Sequence, residues 1–192
     1  MPESRRDGPA LRVYKRKLPH WELSGSVYFL TFSTVPGLTL SAQAKSIVLD
    51  SLRFHDARRY TLFGAVVMDT HAHAILQPLQ VPPSGATGVS AGPCSIGTFY
   101  SLSQITHSLK SYSAHRVNRL LQRSGSVWLT ESYDRVIRDE SDSVEKLRYI
   151  VGNPLKAGLV EDPEEYPWLY LPRLQRIAKP RHAGQCQPMG AK

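Results

Sequence analysis

Apolar and polar positions along the 192-residue chain change their period several times, and each change predicts an element. Residues 26–35, SVYFLTFSTV, are rich in β-branched and aromatic side chains and are bounded by Gly25 and Pro36, which predicts a strand. From Ser41 the spacing turns helical: Ser41 can cap, and Ile47, Val48 and Leu52 recur on one face up to about Arg59. Residues 60–68 and 71–77 are strand-like runs separated only by Asp69 and Thr70, so a tight antiparallel hairpin is the simplest connection. Residues 81–97 are Pro/Gly/Ser-rich and aperiodic, a loop whose length in a small domain usually marks function or mobility. A long helix is expected over 98–123, with Leu102, Ile105, Leu109 and Val117 on one side and Lys110, Arg116 and Arg119 elsewhere.

Residues 127–138 read as a turn and a short strand. Ser141 or Asp142 then caps a helix that runs to about Gly152, and Pro154 is expected to end it because its ring removes a donor and restricts Asn153. Residues 2–19 carry Arg5, Arg6, Arg12, Lys15, Arg16 and Lys17 among few apolar residues, the pattern of a solvated basic arm able to lie along phosphates. Beyond Pro172 the chain is again basic and loop-like, a frayed tail with Arg173, Arg176, Lys179 and Arg181. The organisation is therefore an arm over 1–17, one domain over 18–172 and a tail over 173–192, with one core and one site.

Composition narrows the partners. At 41% hydrophobic and 21% charged residues the chain is too apolar for a disordered one. Its formal charge of +8 and pI near 9.7 concentrate polyanions around it, which makes nucleic acid the leading partner, although charge alone does not settle that. Only Cys94 and Cys186 occur, so no disulfide framework or cysteine metal cluster is indicated and a reducing cytoplasm fits. The N-terminus lacks the apolar core of a secretory signal, and no apolar run approaches the roughly 18 residues a membrane span needs.

Two constellations carry chemistry. In His71-Ala72-His73 the alternation of a strand puts both imidazoles on one face, where they can share a divalent ion; a bare pair of this kind is more often two surface histidines. In residues 141–154, SDSVEKLRYIVGNP, the residues Val144, Leu147, Ile150 and Val151 form an apolar stripe. Helical spacing puts Tyr149 and Asn153 one turn apart, roughly opposite that stripe. Such a tyrosine can be an ordinary amphipathic surface residue. It becomes a nucleophile toward a phosphodiester only where metal or cationic groups offset the phosphate's charge and stabilise the phenolate. A metal on the two histidines would supply both, with the Asn153 amide oxygen as a natural neutral third ligand. Trp128, Trp168 and Tyr170 could stack on bases but are more often core plugs, and His107 and His115 read as part of a solvated helix face.

The runs VVMDTHAHAILQP, SLSQITHSLKSYSAHRVNR and VWLTESYDRVIRDESDSVEKLRYIVGNPLKAGLVEDPEEYPW resemble the REP-associated branch of the single-tyrosine HUH transposases, and LPHWELSGSVYFLTF is similar to that family's first strand. The similarity covers residues 18–168. It implies an α+β fold with a central antiparallel sheet of ferredoxin-like or RRM-like kind and flanking helices. It also implies a reaction on single-stranded or hairpin DNA: Tyr149 attacks the scissile phosphate, leaving a 5′-phosphotyrosyl link and a free 3′-hydroxyl. By resemblance His71, His73 and Asn153 would serve a divalent metal, Mg²⁺ or Mn²⁺. Arg12, Lys15, Arg16, Lys17, Lys110, Arg116, Arg119 and Arg135 are candidates for contacts to DNA. Two departures bear on the site: Asp69-Thr70 stands where the family usually has Pro-Asn, at the turn that aims His71, and Arg135 stands where relatives often place a histidine. A binding protein of the same fold without catalysis, and a metal-dependent hydrolase using water, are the competing readings. Whether the chain acts as a monomer or homodimer is left open.

Overall fold

The computed structural model describes residues 11–15, 19–82 and 98–172. Its centre is a five-stranded antiparallel sheet ordered β6-β3-β5-β4-β7, with β3 at Tyr28–Ser33, β4 at Tyr60–Val67, β5 at His71–Pro78, β6 at Tyr133–Val136 and β7 at Leu169–Tyr170. Helix α1, Ala42–Phe54, joins β3 to β4, and helix α2, Leu102–Leu120, lies between β5 and β6. The first four sheet strands and these two helices thus run βαββαβ with spatial order fourth, first, third, second, the ferredoxin-like arrangement the resemblance implied.

Side-chain alternation assigns the two faces. Tyr28, Leu30 and Phe32 of β3, with Ala72, Ala74 and Leu76 of β5, join Val48, Leu52, Ile105, Leu109 and Val117 in the larger core beneath α1 and α2. Phe29, Val66 and Ile75 point the other way and pack with Ile150 of helix α3, Glu140–Lys156. Gly64 of β4 permits that approach: a Cβ there would come within 3.1 Å of Leu147 Cδ2 and 3.3 Å of Leu171 Cδ2. A side chain at position 64 would require the Leu147 and Leu171 side chains to give way by a few tenths of an ångström.

Most expected elements form, and the differences have local causes. Ser41 caps α1 as expected, its hydroxyl accepting from Ala44 N, but the helix stops at Phe54, short of Arg59. Asp56 Oδ1 instead accepts from Leu62 N, and Ala57 takes a positive φ of 59°. Helix α2 starts at Leu102, capped by Ser101, because residues 98–100 pair back on the chain: Val81 N donates to Thr98 O and Tyr100 N to Leu79 O. Helix α3 is capped by Asp139, upstream of Ser141 and Asp142.

Pro154 does not end α3, which continues to Lys156. Only the last turn follows it, so a single backbone bond is forfeited, and Pro154 O still accepts from Leu159 N. The basic N-terminal segment is not wholly an arm either: β1, Leu11–Lys15, pairs antiparallel with β2, Pro19–Leu23. Arg12 and Lys15 fall on β1, whereas Arg16, Lys17, most of the 81–97 loop and the 173–192 tail lie outside the described residues. Among the described residues no helix is long and apolar enough to cross a membrane.

Candidate functional site

Strand β5 is central in the sheet, and its register fixes what its histidines meet. His71 pairs with Ser33, and His73 pairs with Thr31 on one side and Val66 on the other. Both imidazoles share the α3 face with Phe29 and Thr31, and their ring centroids are 4.8 Å apart. Thr31 Oγ1 lies 2.7 Å from His73 Nδ1, and Phe29 stacks on the His73 ring at 5.4 Å. The second nitrogen, His73 Nε2, is buried and has no hydrogen-bond partner. Burial, reinforced by the positive charge His71 can carry, pushes the His73 imidazole down to about 3, so at neutral pH it holds a free lone pair.

Helix α3 brings Tyr149 to this pair within the same chain. The Tyr149 ring meets His73 edge to face at 5.1 Å between centroids and Phe29 at 5.8 Å, while remaining 41% exposed. Asn153, one turn on, donates from Nδ2 to Tyr149 O at 2.7 Å. Its side chain also lies near His71, where it raises that imidazole's pKa against the larger lowering effect of burial. The apolar line that seats the helix is narrower than the expected stripe: Ile150 and Pro154 are buried and Leu147 is partly so, but Val144 is 39% exposed. Tyr149 and Asn153 therefore lie on the flank of that line, facing the histidines.

The turn ahead of His71 is held from outside. Asp69 Oδ1 receives the Lys45 ammonium at 2.8 Å, and that ammonium lies 3.9 Å from the centroid of the Trp168 ring. Asp69 O accepts from Leu40 N, and Thr70 O accepts from both Thr34 N and the Thr34 hydroxyl. With Met68 N donating to His71 O, the hairpin closes tightly although Asp69-Thr70 replaces the usual Pro-Asn.

Among the described residues no three His, Cys, Asp or Glu side chains gather as a metal site. What gathers beside Tyr149 is two imidazoles, His71 and His73, with the Asn153 amide near His71. Imidazole nitrogens and an amide oxygen are donor types that divalent ions accept, and His73 Nε2 has no protein partner. Sequence reasoning did not reach Thr31, Phe29 or Lys156, whose ammonium sits 5.5 Å from the Tyr149 ring centroid. Their nearness depends on strand register and helix placement, which leave no mark at fixed spacing from the histidines.

The candidate basic contacts separate into two kinds. Lys110 donates to Leu129 O, Thr130 O and the Ser132 hydroxyl, so its three protons serve the loop before β6. Arg135 is tied by Nη2 to both oxygens of Asp142, which is buried near the start of α3 and also accepts from Arg138 N. Arg116 and Arg119 are exposed on α2. Trp128 is a core plug, packed on Phe32 and donating to the Ser113 hydroxyl, and His107 and His115 are exposed.

A ferredoxin-like sheet with a histidine pair on its central strand and a tyrosine helix laid across that face defines the architecture. No family model matches the chain. In sequence it is 26% identical over 153 residues, 75% of this chain and 78% of the relative, to a Haemophilus influenzae protein assigned as a REP-associated tyrosine transposase. In structure it resembles a REP-associated tyrosine transposase solved bound to a REP hairpin, with a TM-score of 0.59, 16% identity, and 81% and 82% of the two chains covered. The chain is thus similar in sequence to one REP-associated tyrosine transposase and in fold to another.

Proposed function

We propose that this protein is a transposase-type nuclease that binds hairpin-bearing single-stranded DNA and cleaves and rejoins it through Tyr149. The observation that carries the reading is the Tyr149 ring lying against His73, whose buried Nε2 has no partner, inside one chain. The relatives add the substrate class, since the similar structure is that of a transposase bound to a REP hairpin.

In the proposed step the Tyr149 hydroxyl oxygen attacks the scissile phosphorus. The Oη–P bond forms as the P–O3′ bond breaks, the phenolic proton passes to water, and the departing 3′ oxygen takes a proton from water. The phosphodiester becomes a 5′-phosphotyrosyl ester, so rejoining by a 3′-hydroxyl needs no external energy source. His71, His73 and Asn153 would hold a divalent cation, Mg²⁺ or Mn²⁺. When bound, that ion supplies Lewis-acid stabilisation of the charge on the phosphate and the departing oxygen. Lys156, whose ammonium lies 5.5 Å from the Tyr149 ring centroid, adds a positive charge on the same side of α3 as the attacking phenol. Phe29 and the sheet face hold the phenol at the histidines, which limits the geometry lost to rotation.

Incubating the protein with labelled hairpin strands and Mg²⁺ or Mn²⁺ tests this. The expected result is a denaturation-resistant protein–DNA band that disappears with chelator and in Tyr149→Phe. Tight hairpin binding with no such band on any strand and with either metal would leave only the binding-protein reading standing.

A further inference from the structure

On the opposite side of the sheet from Tyr149, α1 and α2 frame a cavity of about 200 Å³ lined by Ser51, Phe54, His55, Ser108, Leu109 and Tyr112. We infer that this cavity is a binding pocket for one unpaired base of single-stranded DNA, with Arg58, Arg59 and Arg116 holding the flanking phosphates. The inference rests on the single-stranded-DNA reading above and assigns it a second contact region, remote from the scissile phosphate.

Three observations carry it. First, the pocket's outer walls are aromatic and open: Phe54 is 59% and Tyr112 52% exposed, so a flat ring can approach them from solvent without displacing core residues. Sites for drug-sized ligands span about 300–1,000 Å³, so this smaller one suits a single flat ring system better than a whole nucleotide.

Second, arginines surround it. The Arg58 guanidinium carbon lies 4.5 Å from the Phe54 ring centroid, and Arg116 lies 5.8 Å from that of Tyr112 while donating to its hydroxyl at 3.1 Å. Arg59 reaches the Ser108 hydroxyl at 3.5 Å. A guanidinium lying over a ring keeps outward-pointing N–H groups for phosphate oxygens, and that planar fork is the donor geometry phosphates select.

Third, the pocket wall itself carries no acid. None of the lining residues is acidic, and none of the three arginines is ion-paired with a described carboxylate. Of the acids that flank the lining residues in sequence, Asp50 is exposed, and Asp56 has one oxygen on Leu62 N and the other 3.5 Å from the Tyr170 hydroxyl. His55 is lowered by burial first and then by Arg59 and Arg58, which marks the local potential as positive. An aromatic slot edged by arginines without a described carboxylate partner fits a stacked base on a polyanion, and single-strand binding surfaces combine these two components.

Strands carrying 5-iodouracil in the unpaired regions beside the hairpin can be irradiated with the full-length protein and the crosslinked peptides mapped. Crosslinks are expected at Tyr112 or Phe54, and fully paired DNA should give none there. In a Tyr149→Phe background, the Phe54→Ala/Tyr112→Ala pair should weaken hairpin-strand binding about 5- to 150-fold with an unchanged salt slope. Arg58→Gln and Arg116→Gln should each lower the salt slope by about 1. Crosslinks confined to other peptides, together with binding within about twofold of the parent in the aromatic variant, would overturn the pocket. Adducts formed at Tyr149 on the same strands are scored separately: adduct without pocket crosslinks sinks this inference alone, and pocket crosslinks without adduct sink only the cleavage reading.

Discussion

Thr31 and His73 face each other across β3 and β5, and the hydroxyl of the first lies 2.7 Å from Nδ1 of the second. A proton on Nδ1 donated to that hydroxyl leaves the lone pair on Nε2, the nitrogen without a partner. Partners of this type orient a metal-binding imidazole and tune its basicity.

Thr31→Val keeps the side-chain shape and removes this bond. The Mn²⁺ concentration giving half-maximal adduct should rise by about 10- to 100-fold, the range typical of such supporting residues. A metal titration of adduct yield measures this. An unchanged half-maximal concentration would mean that Thr31 does not orient the ligand.

Lys110 and Arg119 look alike as helix cations, yet the structure separates them. Lys110 satisfies two backbone carbonyls and a hydroxyl, so Lys110→Met should destabilise the fold by about 1–3 kcal/mol and leave the salt slope of DNA binding nearly intact. Arg119 is exposed, and Arg119→Gln should spare stability and lower that slope by about 1. Urea melts and binding titrations across salt concentrations distinguish the two, and interchanged results would refute the assignment.

Tyr166 gives the fold a pH signature. Its buried hydroxyl donates to Val67 O at 2.9 Å, and burial first, then the charge of Asp69, push it up to about 12. Between the ordinary value of 10.0 and about 12 the unfolded chain loses this proton while the folded one keeps it. Stability contributed by Tyr166 is therefore complete below pH 10 and is lost as pH rises through that window. Tyr166→Phe should lose less stability than wild type over this interval in urea denaturation. Parallel profiles would contradict the shift.

Much of this was legible locally. The alternation of residues 71–77 placed both histidines on one face, and the helical step placed Asn153 beside Tyr149, because those relations are set within one element. What depended on tertiary partners was not legible. Asp142 looked like a cap but is buried against Arg135, leaving the cap to Asp139. Lys110 looked like a free cation until its three acceptors came from the loop at 129–132. Thr31 and Phe29 joined the site through strand register, and the Phe54–Tyr112 pocket exists only because α1 packs on α2.

The most direct test of the central claim is peptide mapping of the cleaved complex by mass spectrometry. The account predicts DNA joined through its 5′ phosphate to the peptide carrying Tyr149, formed only with a divalent ion. Cleaved strands with free 5′ phosphates, no nucleotide on any peptide, and undiminished cutting by Tyr149→Phe would contradict it.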